Sequence, residues 1–315
     1  MSPTTHTTHT LTGAPALPPL LARGALLSPL KRPRPDADFP RTRLVFPGLR
    51  VDLARLSAYE RVCGFPTGAD ALPVTYPHVL GFPTAMRLMS GRDFPLPLLG
   101  LVHTSIGITR RAAMPATGVY DLTTYVEGLA PHRRGTEASV VTEVTETRAG
   151  GEPVWESRST YLARHRTAGP TPTEASGQDR GKDKNQDKDR GADPGKDQGK
   201  HEDREPLPAR AEWRIAGDVG RRYGAASGDR NPIHLHQLTA RLFGFPRAIA
   251  HGMWTVARCL AEHGTPDAAA VHAEFRAPVP LPGTVTYGAR GVRFELRGGE
   301  GRRPHLSGEV GPYPV

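Results

Sequence analysis

The chain has 315 residues, 41 Lys plus Arg against 32 Asp plus Glu, and a formal charge of +9. Its 32 prolines and 35 glycines exclude a coiled coil or helical bundle along the whole length, because each proline removes a helix donor. Two cysteines, Cys63 and Cys259, exclude a disulfide framework, and 6% aromatic content offers no stacking platform for nucleic acid. Residues 1–40, rich in Pro and Thr, read as a flexible lead-in. The apolar run within them is broken by Pro18, Pro19, Arg23 and Pro29, so it reads as neither a leader peptide nor a membrane span. A folded unit is expected over 41–166, with helices at 53–62 and 84–90 and strands at 101–108, 118–127, 138–147 and 155–165. The segment 167–205 reads as a disordered linker. Ten acidic and eight basic residues crowd into 171–205, leaving too little apolar surface to offset the entropy of ordering. A second unit is expected over 206–315, with helices at 215–227 and 253–263 around a loop at 228–232, then strands at 271–276, 283–290 and 305–311. Helices followed by antiparallel strands, twice over, make an α+β chain.

The two units share letters as well as order. Tyr59 and Gly64 recur as Tyr223 and Gly228, 164 positions on, and Cys63 faces the similarly small Ser227. Thr84-Ala85-Met86-Arg87 resembles Thr255-Val256-Ala257-Arg258 at an offset of 171, and Leu101-Val102-His103 resembles Ala270-Val271-His272 at 169. Three matches in one order with nearly constant offset imply a duplicated domain.

The chemistry concentrates in one run, Tyr223-Gly-Ala-Ala-Ser227-Gly-Asp229-Arg-Asn231-Pro232-Ile-His234. Gly228 and the Asn-Pro pair break the helix and set a loop, from which Asp229 and His234 project five residues apart. A carboxylate beside an imidazole can hold one water and exchange protons with it near neutral pH. Further on, Ala250-His251-Gly252-Met253 falls where a helix begins. A glycine there leaves a backbone N–H unshielded at the positive end of the helix dipole, ready to stabilise an oxyanion. Acid/base pair and oxyanion donor together suit chemistry beside a carbonyl.

The spaced run Y-x-x-x-S-G-D-x-N-P-I-H-x-x-x-x-x-A, followed by A-H-G-M, resembles the signature of the MaoC-like dehydratases, the (R)-specific or type 2 enoyl-CoA hydratases. The resemblance implies a double hot-dog fold, each repeat an antiparallel sheet wrapped around a central helix, with the signature in the second repeat. It implies reversible hydration of a trans-2-enoyl thioester to the (3R)-3-hydroxyacyl thioester. Carried over by position, Asp229 and His234 match the catalytic pair, Gly252 the oxyanion donor and Asn231 the residue that orients the loop. Ser227 and His251 join Asn231 as substrate-binding or loop-orienting residues. In the first repeat Phe65 falls where Asp229 stands and Asp70 where His234 stands. That repeat therefore lacks the pair, and completes the fold and the acyl pocket instead.

Other readings of the same residues stand beside these. Asp229 suits an Asx turn and His234 a core histidine, His251 divides between structural and pocket roles, and His103 and His272 read as structural. Arg230, Arg241, Arg247 and Arg276 read as solvated surface, or as partners for coenzyme A phosphates or an acidic carrier protein. A hot-dog thioesterase and a non-catalytic acyl-thioester or carrier-binding protein are the alternative functions. No metal or separate cofactor is expected, coenzyme A or acyl carrier protein entering as part of the substrate. No nucleic-acid partner and no membrane span are expected, and the location expected is cytoplasmic. A duplicated chain would act as a monomeric pseudo-dimer or as a homodimer.

Overall fold

The computed structural model describes residues 7–147, 151–166, 205–299 and 303–313. In chain order the elements are β1 (Thr7–Thr10), α1 (Leu17–Leu27), β2 (Thr42–Arg50), α2 (Leu53–Cys63), α3 (Tyr76–Met89), β3 (Val102–Arg110), β4 (Val119–His132), β5 (Gly135–Glu146) and β6 (Trp155–Arg164). The second unit contributes β7 (Ala209–Ile215), α4 (Val219–Ser227), α5 (Pro232–Leu235), α6 (Gln237–Leu242), α7 (Gly252–His263), β8 (Ala269–Phe275), β9 (Gly283–Arg290), β10 (Arg293–Gly298) and β11 (Arg303–Pro312). All eleven strands join one sheet in the order β1-β2-β4-β5-β6-β3-β8-β11-β10-β9-β7. Read outward from the β3·β8 seam, the two sides have the same order, β6-β5-β4-β2 against β11-β10-β9-β7. The duplication is thus built into the sheet. At the seam β3 and β8 pair antiparallel, with Ile106 opposite Ala273 and Ile108 opposite Val271. Each half supplies one long apolar helix, α3 or α7, for its sheet to cover. Val79, Met86 and Met89 of α3 and Trp254, Val256 and Leu260 of α7 are buried. This is the expected α+β double hot-dog.

The repeat extends to the backbone. Both α2 and α4 end on a left-handed glycine, Gly64 (φ 83°) and Gly228 (φ 84°), a conformation that other residues adopt only at a cost. Across the halves, the Trp254 indole donates to the Val62 carbonyl at 2.8 Å, and Arg55 Nε donates to the Ala226 carbonyl at 2.7 Å.

Several expectations are corrected. The flexible lead-in at 1–40 holds structure from residue 7 onward. There β1 pairs parallel to β2, and α1 buries Leu20 in a core with Met86, Met89 and Phe94. The helix expected at 215–227 begins only at Val219, because Ile215 ends a strand. The helix expected at 84–90 runs from Tyr76, since Pro77 sits in the first turn, where no donor is needed, and Pro83 is absorbed inside. Apart from Glu205, the linker expected at 167–205 lies outside the described residues. Among the described residues no helix is long and apolar enough to cross a membrane.

Arg110 joins the halves from within the core. Only 4% exposed, its guanidinium donates to the carbonyls of Leu72, Pro266 and Asp267 at 2.7–3.0 Å. Replacing it by Met leaves these acceptors without their donor. At about 1–3 kcal/mol for a buried unsatisfied group, Arg110→Met is expected to lower unfolding free energy by about 2–4 kcal/mol in urea titrations. A change below about 1 kcal/mol would show that the clamp is not stabilising.

Candidate active site

The end of α4 and the single turn α5 hold the loop by its own side chains. The Asp229 N–H donates to Ser227 Oγ at 3.2 Å, the Asn231 N–H to Asp229 Oδ1 at 3.2 Å, and the Ile233 N–H to Asn231 Oδ1 at 3.4 Å. The Asx-turn reading of Asp229 is therefore correct as far as Oδ1 goes, and leaves Oδ2 outside the turn. Asn231 caps α5, which carries His234, and Ser227 is a buried loop support.

His234 is buried, with Nδ1 2.8 Å from the Ile249 carbonyl. A carbonyl only accepts, so Nδ1 carries the proton and Nε2 keeps its lone pair. His251, the residue preceding α7, places Nε2 2.9 Å from the Asp229 main-chain carbonyl and 3.8 Å from Oδ2. Its ring stacks on that of His234 at 3.7 Å and lies 4.8 Å from that of Tyr223. Burial pushes the pKa of His234 below the usual range, against the raising effect of the Asp229 charge, and pushes that of His251 further down. Both imidazoles are thus neutral at pH 7.

One ligand-type atom from each of Asp229, His234 and His251 lies within 4.8 Å of the others. The two ring planes lie 28° apart, and each ring spends one nitrogen on a backbone carbonyl.

Gly252 follows as the first residue of α7, so its N–H has no acceptor within the helix. A Cβ built there would stand 2.8 Å from Cε1 of Phe275, at the end of β8. The Phe275 ring lies 4.7 Å from that of His103, which in turn lies 4.6 Å from Tyr161 and 6.1 Å from His78. The Asp229 charge acts on both His78 and Tyr161. Burial lowers His78 to about 4 and His103 to about 3.

The first half therefore reaches the site through α3, β3 and β6; the sequence reading has it complete the acyl pocket, but does not single out His78, His103 or Tyr161 as site residues. His103, read as structural, belongs to this wall, whereas its counterpart His272 lies exposed beside Glu274. A signal was present in the run 76–83, where His78 stands at the start of the central helix. Phe65 and Asp70 do not form a second pair, since Phe65 stacks on Tyr59 at 6.4 Å and Asp70 is exposed.

Comparison with known proteins gives consistent matches. The family described as MaoC like domain matches residues 200–300. The chain is 34% identical over 284 residues, 88% of its own length and 91% of the relative's, to 3-hydroxyacyl-thioester dehydratase X of Mycobacterium tuberculosis. The crystal structure of HtdX of Mycobacterium tuberculosis superposes with a TM-score of 0.68 at 31% identity, over 86% of this chain and all of that one. Another Mycobacterium tuberculosis protein, with a double hotdog fold, matches at a TM-score of 0.50 and 13% identity over 88% of this chain and 96% of its own, a likeness of fold alone.

Proposed function

Because the chain belongs to the MaoC-like dehydratase family, we propose that it interconverts trans-2-enoyl and (3R)-3-hydroxyacyl thioesters by adding and removing water. The observation that carries this reading is the gathering of a carboxylate oxygen of Asp229 and a ring nitrogen of His234 within 4.8 Å on one braced loop, with His251 linking that loop to the helix start at Gly252. In hydration, the Gly252 N–H would donate to the thioester carbonyl and meet the charge that develops on its oxygen. That withdraws electron density from C3. A water held between Asp229 Oδ2 and His234 Nε2 adds its oxygen to C3, while one proton returns through the same pair to C2. Because the two groups titrate as a pair, the proton is assigned to the pair and not to one member.

The acyl chain would be housed by the first half. A cavity of about 270 Å³ there is lined by Phe46, Leu49, Val79, Leu80, Pro83 and Arg55, the residue that also bonds the end of α4. The thioester arm would be coenzyme A or acyl carrier protein, with no other cofactor. We place the protein in the cytoplasm, where two free buried cysteines suit a reducing medium.

The test follows loss of the enoyl absorbance when crotonyl-CoA or a longer enoyl-CoA is added, with a thiol trap in parallel. Hydration without thiol release supports the reading, and thiol release at the hydration rate would identify a thioesterase. The pH profile gives a second check. A depressed His234 pKa keeps Nε2 unprotonated as the pH falls through the ordinary histidine value of about 6.5, so the acidic limb of kcat/KM should lie below it. A limb at or above pH 6.5 would contradict a neutral buried His234.

A further inference from the structure

Small amphipathic helices usually turn their leucines inward, and α6 does the opposite. Its one buried residue is Ala240, while Leu238 and Leu242, one turn apart, are 74% and 83% exposed, and Phe243 beside them is 40% exposed. An apolar knob held in water is characteristic of a contact surface when polar residues rim it. Here the rim is basic. From residue 219 to 257 the only acidic residue is Asp229, which is committed to the site, against Arg221, Arg222, Arg230, Arg241 and Arg247. All five arginines are exposed, and none forms an ion pair among the described residues. Arg221, Arg241 and Arg247 touch only backbone carbonyls, at 3.3–3.4 Å. Between α4 and α5, Arg221, Arg230, Leu235 and His236 line a recess of about 240 Å³. Arg230 follows Asp229 directly, and His236 is two residues past His234, so this face is continuous with the catalytic loop.

We propose that α6 and the basic rim around it are the docking face for an acidic acyl carrier protein that delivers the substrate to this loop. The proposal rests on the thioester reading above and adds the partner. An acidic helix laid on this face would cover Leu238, Leu242 and Phe243 with its apolar side and meet the arginines with its carboxylates. The recess beside Arg230 then lies on the way from the carrier to Asp229, where a phosphate on the connecting arm finds guanidinium donors. Coenzyme A would meet the arginines of the recess, Arg221 and Arg230, but has no apolar helix to cover the leucines or acidic helix to meet Arg241.

The test compares one acyl group on two carriers. Turnover of trans-2-hexenoyl on a bacterial type II acyl carrier protein is measured beside trans-2-hexenoyl-CoA, for the parent, Leu238→Glu, Leu242→Glu and Arg241→Glu. Binding of fluorescently labelled holo carrier protein is followed by anisotropy in the same proteins. The expected result is at least a 10-fold loss of kcat/KM on the carrier-bound substrate, with the CoA substrate within 2-fold of the parent. A matching loss of carrier affinity, deepened by salt, is also expected. Equal losses on both substrates, unchanged turnover of both, or no carrier binding by the parent would overturn the proposal. A parent that binds the carrier but hydrates neither substrate would sink the hydration reading and leave the docking decided by the anisotropy.

Discussion

Asp229→Asn and His234→Ala proteins are expected to lose hydration by about 10³-fold or more, within the range for removing a positioned acid or base. Asp229→Asn is the cleaner of the two. The amide oxygen can still accept from the Asn231 N–H, so the turn that positions His234 survives while the charge at Oδ2 is gone. His234→Ala also strands the Ile249 carbonyl, which His234 Nδ1 now satisfies at 2.8 Å. A stability loss of about 1–3 kcal/mol should accompany the loss of rate. If the two groups act on one water, the double variant should be scarcely slower than the worse single variant. Variants that retain parental kcat/KM with intact thermal melts would remove the pair from the mechanism.

The next largest effect is expected at Gly252. An alanine methyl there meets the Phe275 ring at 2.8–3.1 Å, closer than carbon atoms normally approach, and it intrudes beside the amide that should receive the thioester oxygen. Losing one oxyanion donor costs about 10²–10³ in kcat, and Gly252→Ala should approach that loss through displaced geometry. The ring sits at the end of β8 and is only partly buried, so the fold should hold. Pairing the change with Phe275→Leu relieves the clash and should restore part of the rate. A Gly252→Ala protein with parental kcat would mean that this amide does not face the reacting carbonyl.

What could be read from the sequence, and what could not, divides along physical lines. The loop motif and the start of α7 were legible because Gly228, Asn231, Pro232 and Gly252 are each tied to a local backbone requirement. The duplication was legible in Tyr59/Tyr223, where burial at the half-to-half contact limits the choice of residue, and in Gly64/Gly228, where a positive φ does. The strands β2, which lies between β1 and β4, and β7, at the sheet edge, were not. In β2 Pro47 and Gly48 sit at a bulge between Phe46 and Leu49, and β7 alternates with exposed charges, so neither offers the apolar run of a central strand. α1 was missed because its prolines read as breaks, although Pro18 and Pro19 lie in the first turn. His103 and Tyr161 were illegible as site residues because the β3·β8 seam brings the first half against Phe275. That is a long-range pairing with no local trace.

The central claim is that a braced Asp229–His234 pair in the second half adds water to a thioester polarised from Gly252. The most direct measurement incubates the parent protein with a trans-2-enoyl-CoA, resolves the 3-hydroxyacyl product by chiral chromatography and titrates free thiol in the same sample. The account predicts the (3R) product in excess, with no thiol above background. A (3S) product, or thiol release in place of hydration, would contradict it.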